Sequence, residues 1–251
     1  RTSLESIRTL VDSIGQLSDW DIDFEPWYGR AVSQSEIIAW CGDVTRGPRM
    51  SRWLAKHWSP RIEELLSEAE QQGLTSEIGI LTWALELDAI DSEQWTTYGS
   101  RLLVLAPEVL TWPHFERLAA SLNDLDDRFG AIQALESAVE EIGGLQPIES
   151  LLELIRDDEE LRGRSLELRE SRVRLGSGQD DDYRALGMDA YSRNAFDVAI
   201  SHFDAIQNRE DLKDDLLKAW ARTCEEVGRS EEAVSLWERV GATEAENARS
   251  Q

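Results

Sequence analysis

The chain has 251 residues, of which 41% are hydrophobic and 8% aromatic, enough for one large or two smaller folded cores and too much for wholesale disorder. Acidic residues outnumber basic ones 50 to 26, giving a formal net charge of −24 and a pI near 4.4. Such a surface argues against docking on duplex nucleic acid or anionic lipid, because both must be met by Lys and Arg.

Lys56, Lys213 and Lys218 are the only lysines; Arg carries the rest of the positive charge. Acid-rich, lysine-poor composition resembles cytoplasmic proteins of salt-accumulating halophiles, whose self-repulsion is screened by salt. An ordinary acidic protein from a high-GC genome is the alternative. No apolar run reaches the roughly 18 residues of a membrane span, and no secretory signal is visible, so a cytoplasmic location is expected. Cys41 and Cys224 have no metal-ligand spacing and read as packed, inert thiols.

In chain order, residues 3–17, 34–42, 49–57, 60–72, 75–90 and 92–105 read as helices. The stretch 18–33, "SDWDIDFEPWYGRAVS", has no helical rhythm and holds Trp20, Phe24, Trp27 and Tyr28. Aromatics in a long loop either pin it to neighbouring helices or anchor a partner; packing is the expectation. Ser59 followed by Pro60 and Glu63 predicts a capped helix start, Gly73 a helix end, and Asp91 another start. No segment shows sustained strand alternation.

The C-terminal region matches itself at a shift of about 34 residues, a length that suits one helical hairpin. Leu186 falls on Trp220, Gly187 on Ala221, Ala190 on Cys224, Asn194 on Gly228, Ala199 on Ala233, and Phe203 on Trp237. Large meets large and small meets small. Residues 183, 186 and 190 keep one helix face. Asn194 and Gly228 then suit the left-handed turn after a helix. A second helix carries Ala199, Phe203 and Ile206. One such helical pair cannot bury its apolar face alone, so neighbours must stack.

This pattern resembles the tetratricopeptide repeat family, best in "YRALGMDAYSRNAFDVAISHFDAI". A further copy fits "FERLAASLNDLDDRFGAIQALESAV" two periods upstream, which sets Ala131 on Ala199. The unit between, about 146–179, lacks the pattern but keeps Leu154, Leu161, Leu168 and Leu175 evenly spaced at a heptad interval; it reads as a degenerate repeat with a longer second helix. The departures are Ala190 where the family has tyrosine, with Tyr191 one residue late, and Asp211 where it closes with proline. The resemblance implies an all-α, right-handed stack of antiparallel helical hairpins. The chain then divides into an N-terminal helical region (1–110), a repeat plus a degenerate pair (111–179), and two C-terminal repeats (180–251). "GSGQDDD" at 176–182 reads as the clearest flexible joint.

No catalytic motif is present: no phosphate-binding glycine loop, and His57, His114 and His202 each stand alone. The alternating Asp19, Asp21, Asp23 and Glu25 lack the glycine turn and distal Glu of a calcium loop. Arg162, Arg164, Arg169, Arg172 and Arg174 are interleaved with Glu, as on a salt-bridged helix. No catalytic residue, cofactor or metal is therefore expected. In the family the first helix of each pair lines a concave groove that binds peptide. The resemblance puts Arg184, Met188 and Tyr191, then Lys218 and Arg222, on that groove. It implies a non-catalytic scaffold for a protein or peptide partner of acidic character. The family's clamp for a terminal carboxylate also uses asparagines that are missing here. Two competing readings are a regulatory repeat region of a larger NTPase or nuclease, which the Arg1 start permits, and a helical subunit of a nucleic-acid-processing complex.

Overall fold

A computed structural model describes residues 33–43, 54–87, 90–210 and 212–249, with side chains through Gly241. The expected helix over 3–17 and the aromatic loop with its acids lie outside these residues. The described residues form twelve bounded α-helices, a helical stretch over 54–58 and two 3-10 turns, with no strand among them. The chain divides into two compact units, Arg1–Ile142 and Gly143–Gln251.

The first unit holds α1 (Gln34–Cys41), α2 (Ile62–Gln72), α3 (Leu74–Leu85), α4 (Ser92–Leu105), α5 (Trp112–Asp124) and α6 (Arg128–Glu141). Each packs on its neighbours. Ser33 and Glu36 form a reciprocal capping box at the start of α1, satisfying two N–H groups the helix leaves orphaned. Gly73 alone separates α2 from α3; its φ of 115° is open to glycine and closed to most other residues. Asp91 caps α4 by accepting the Gln94 N–H at 2.8 Å, as its sequence position predicts. Trp83, Trp95, Phe115 and Leu118 are fully buried in this core. Tyr98 donates to Glu63 at 2.5 Å, and Arg101 donates to Glu77 at 2.7 Å and to Glu70, tying α4 to α2 and α3.

Two local expectations fail here. Ser59 is not a cap: it lies inside a 3-10 turn (Ser59–Arg61) that continues from the 54–58 helix, and Glu63 accepts from Tyr98 instead. The helix expected to reach residue 90 stops at Leu85, whose carbonyl accepts the Trp95 indole N–H at 3.2 Å.

The second unit holds α7 (Leu145–Leu154), α8 (Arg162–Arg174), α9 (Asp180–Ser192), α10 (Phe196–Asp204), α11 (Asp214–Glu226) and α12 (Ser230–Arg249). The repeat period is visible in the backbone. Helix α9 runs from Asp180 to Ser192 and α11 from Asp214 to Glu226, one period apart at both ends. Helix α5, from Trp112 to Asp124, stands two periods before α9 at both ends. The helices α6, α8, α10 and α12 begin at Arg128, Arg162, Phe196 and Ser230, each one period after the last. The turn between paired helices repeats too. Asp126, Asn194 and Gly228 occupy one repeat position, and all have positive φ, of 63°, 60° and 79°. The next residue's N–H reaches back to the carbonyl of Leu122, Ala190 or Cys224 at 2.9, 2.9 and 2.7 Å. This is the Schellman closure, which satisfies carbonyls that a helix end leaves unpaired.

Alanines 131, 199 and 233 are all buried. Phe203 is fully buried between Gly187 and the Trp220 ring, whose centroid is 5.7 Å away. Burying a ring of this size is worth about 1.5–3 kcal/mol. Packed neighbouring helices in this register are compatible with a helical repeat fold.

In the unit over 146–179 the second helix keeps the register without the side-chain pattern, while the first, α7, is out of register at both ends; the expected longer second helix is not found, since α8 has 13 residues against 14 in α6 and 20 in α12. Its four leucines do not form one stripe. Leu154 ends α7, Leu161 lies in a turn, Leu168 is buried, and Leu175 is exposed after α8. The expected joint over 176–182 is a packed turn at 176–179 followed by the first residues of α9. Gly176 closes α8 with φ 76°, and a Cβ on Gly178 would meet the Tyr183 hydroxyl at 2.7 Å. Asp182 is fully buried and bonded across the turn: its carboxylate accepts from Arg172 Nε at 2.8 Å, Arg169 Nη1 at 3.0 Å and the Gln179 N–H at 2.9 Å.

Candidate functional site

Helices α9 and α11 are the first members of successive pairs, and they pack against each other as well as against α10 and α12. Arg184, Met188 and Tyr191 follow one another along α9 at spacings of four and three, the spacing of one helix face. Lys218 and Arg222 are one turn apart on α11, with Lys218 at the repeat position of Arg184. Met188 and Tyr191 are half-buried and pack against the core shared by α9 to α12. Tyr191 also meets the Phe196 ring at 6.2 Å. Arg184 is half-buried and partly engaged: Nη1 reaches Asp181 at 3.3 Å and Nη2 the Asn208 carbonyl at 3.4 Å, while its buried Nε has no partner. Lys218 is half-buried, and Arg222 is exposed. Of the nearby acids, Glu225 accepts the Trp237 indole N–H at 2.9 Å.

The loop between α10 and α11 is built from polar groups that pattern reading missed. The Asp180 carboxylate accepts the N–H groups of Gln207 and Asn208 at 2.9 and 2.8 Å, and these bonds hold its pKa below the usual range. Arg209 stacks over Trp220 at 4.7 Å and donates to the Ile206 and Asp204 carbonyls. Arg229 pairs with Asp204 at 2.8 Å. The sequence signal for these contacts is an acid recurring at one repeat position: Glu136, Glu170, Asp204 and Glu238.

The other candidates resolve locally. In the arginine run, Arg169 and Arg172 converge on Asp182, Arg164 pairs with Glu167 at 2.8 Å, and Arg174 donates to Ser171 at 3.3 Å. The helix is salt-bridged, as expected, with Glu167 and with the buried Asp182 of the next helix among the partners. The His114 ring accepts the Thr111 N–H at 3.2 Å through Nδ1, completing the cap of α5, and burial lowers its pKa. Burial also lowers that of His202, beside the Tyr183 ring. Both cysteines are buried thiols outside any disulfide, and burial pushes the Cys224 thiol up to about 11, which suppresses the reactive thiolate. Among the described residues no group of three or more His, Cys, Asp or Glu could hold a metal ion, and no helix is long and apolar enough to cross a membrane.

No family model matches the chain, and no curated protein matches it.

Proposed function

We propose that the chain is a non-catalytic scaffold of tetratricopeptide-like hairpins, stacked antiparallel with a right-handed superhelical turn, that binds an acidic partner segment in the cytoplasm. The observation that supports this most is the recurrence of second-helix starts at Arg128, Arg162, Phe196 and Ser230, with the same positive-φ turn before three of them. A catalytic domain has no need of such periodicity; a stack presenting equivalent surfaces does. The partner surface is the face of α9 and α11 carrying Arg184, Met188, Tyr191, Lys218 and Arg222. Two of the three lysines of a chain with net charge −24, Lys213 and Lys218, fall within this short stretch of sequence. Local positive charge attracts an acidic segment, while the surrounding field repels it elsewhere. Half-exposed Met and Tyr supply an adaptable apolar floor. In this reading the pattern divides the chain at 110 and 179.

The test has two steps. A pull-down from native lysate identifies a partner, and the triple variant Arg184→Ala, Lys218→Ala, Arg222→Ala is then titrated with it. Weaker binding at a nearly unchanged Tm is expected. Unaltered affinity places the partner elsewhere and removes this surface from the proposal.

A further inference from the structure

Three of the described helices open with a reciprocal capping box: Ser33 with Glu36 at α1, Gln179 with Asp182 at α9, and Thr111 with His114 at α5. In the first two, a carboxylate reaches back to the cap residue's N–H. Glu36 Oε2 accepts from Ser33 at 2.9 Å, and Asp182 Oδ2 accepts from Gln179 at 2.9 Å. In the third the acceptor is a ring nitrogen: His114 Nδ1 takes the Thr111 N–H at 3.2 Å. An ionised carboxylate accepts throughout the neutral range, but an imidazole nitrogen accepts only while it carries no proton.

The bond therefore selects the neutral ring with its proton on Nε2. Protonation places an N–H on Nδ1, facing the Thr111 N–H, so that two donors oppose each other. An acceptor for the new proton stands 3.1 Å away, the Thr111 hydroxyl, which is the other half of the same box. The ring then exchanges an N–H for a hydroxyl, and the Thr111 N–H is left without its acceptor.

The surroundings oppose the charged ring. His114 is half-buried, with its centroid 6.5 Å from that of the Trp95 ring of α4. The Arg117 guanidinium, on α5 itself, already lies over that indole at 4.2 Å. Among the described residues the charged groups acting on the ring are Arg117, which disfavours a second positive charge, and Glu86, just beyond α3, which favours it. Burial is the largest influence and sides with Arg117, so the ring titrates on the acid side of 6.5. The first turn of α5 leads straight into the core. The Phe115 N–H donates to the Thr111 carbonyl at 3.2 Å, and the Phe115 side chain is fully buried. Leu118, one turn on, is buried against Gly99 of α4.

We propose that His114 is a pH-sensitive latch on the start of α5: neutral, it closes the capping box; protonated, it releases the Thr111 N–H, and the first turn of α5 frays from its place beside α4. The opening is local, and α1 and α9, whose boxes close on carboxylates, stay capped over the same pH range. The latch does not rest on the reading of α9 and α11 as a partner surface.

The test is an NMR titration of the full chain, labelled with nitrogen-15, from about pH 8 to 5. The ring nitrogen shifts of His114 should show the Nε2–H form at neutral pH. The ring and the Thr111 amide should share one midpoint. Hydrogen-exchange protection of the His114 and Phe115 amides, corrected for the intrinsic rate, should fall about fivefold through that midpoint, as for one lost cap. In His114→Gln, whose side-chain oxygen accepts at every pH, protection should stay level. An Nδ1–H ring at neutral pH, protection that holds through the His114 midpoint, or the same fall in His114→Gln would overturn the proposal. The parent titration decides by itself if the variant does not fold.

Discussion

Gly187→Ala is a sharp test of the packing between paired helices. A Cβ at 187 would lie 2.4 Å from Phe203 Cε1 and 2.6 Å from Cδ1, where ordinary carbon contact is about 3.5–4 Å. The ring must therefore move by about 1 Å. It has no free space to do so: Phe203 is fully buried and backed by Trp220. Overpacking of this kind costs about 1–3 kcal/mol, against a gain of about 1 kcal/mol from replacing a helical glycine by alanine. The steric term wins, for a net loss of about 1–2 kcal/mol. The chain holds its own relief of this clash, since the same repeat positions are Ala119 with Leu135 in the first copy. Phe203→Leu alone should cost about 1–2 kcal/mol through lost burial. The double variant Gly187→Ala, Phe203→Leu should cost less than the sum, with a coupling of about 0.5–3 kcal/mol. Urea denaturation followed by far-ultraviolet circular dichroism measures all four corners of the cycle. A stabilised Gly187→Ala, or strict additivity, would refute the proposed contact.

Asp182→Ala leaves Arg172 buried without its counter-charge and should destabilise the second unit by about 3–5 kcal/mol, read by the same denaturation; a shift within error would mean that the pair is not buried in solution. Ala199→Trp and Ala233→Trp should each lose about 1–3 kcal/mol or more by overpacking, and unchanged midpoints in both would contradict the packing at those alanines. His114 and His202 have lowered pKa values in the fold, so below pH 6.5 the unfolded chain binds more protons than the folded one. Their contribution is complete above the unfolded pKa and is lost as pH falls through the lowered folded values, so Tm should drop between pH 7 and 5 and flatten in His114→Gln, His202→Gln. Glutamine at 114 keeps the cap of α5. With a net charge of −24, Tm should rise from dilute buffer to about 1–2 M KCl as repulsion is screened; a flat or falling curve removes support for the halophile reading.

The sequence legibly encodes the helix joints because they depend on one or two residue types each. Asn194 and Gly228 are readable as left-handed turns because few other side chains tolerate that backbone. Asp91 is readable as a cap for a similar reason: a short acceptor beside orphaned N–H groups has one use. Asp126 is harder, since aspartate adopts positive φ only when the rest of the turn imposes it. The α7–α8 unit shows the limit of pattern reading. Its second helix holds the repeat register, but Arg169 and Arg172 stand where other copies carry apolar side chains. Their partner Asp182 comes from the next helix, so the compensation is invisible to any local window. Ser59 fails in the opposite direction: its local signal is correct for a cap, and the preceding helical stretch overrides it.

The candidate surfaces follow the same division. Spacing alone places Lys218 and Arg222 on one face and Arg184 one repeat earlier, because helix geometry is fixed per residue. It does not reveal that Arg184 leans on Asp181 and the Asn208 carbonyl, which reduces what that residue offers a ligand relative to exposed Arg222. Nor does it reveal that Val234 is exposed where Ile200 is buried, since the two occupy one repeat position. Residue type at a repeat position therefore does not tell a covered side chain from an uncovered one. Ile200→Ser should therefore lower the urea denaturation midpoint by burying a hydroxyl in place of an apolar side chain, while Val234→Ser should leave it nearly unchanged; equal losses in the two would contradict the difference in cover.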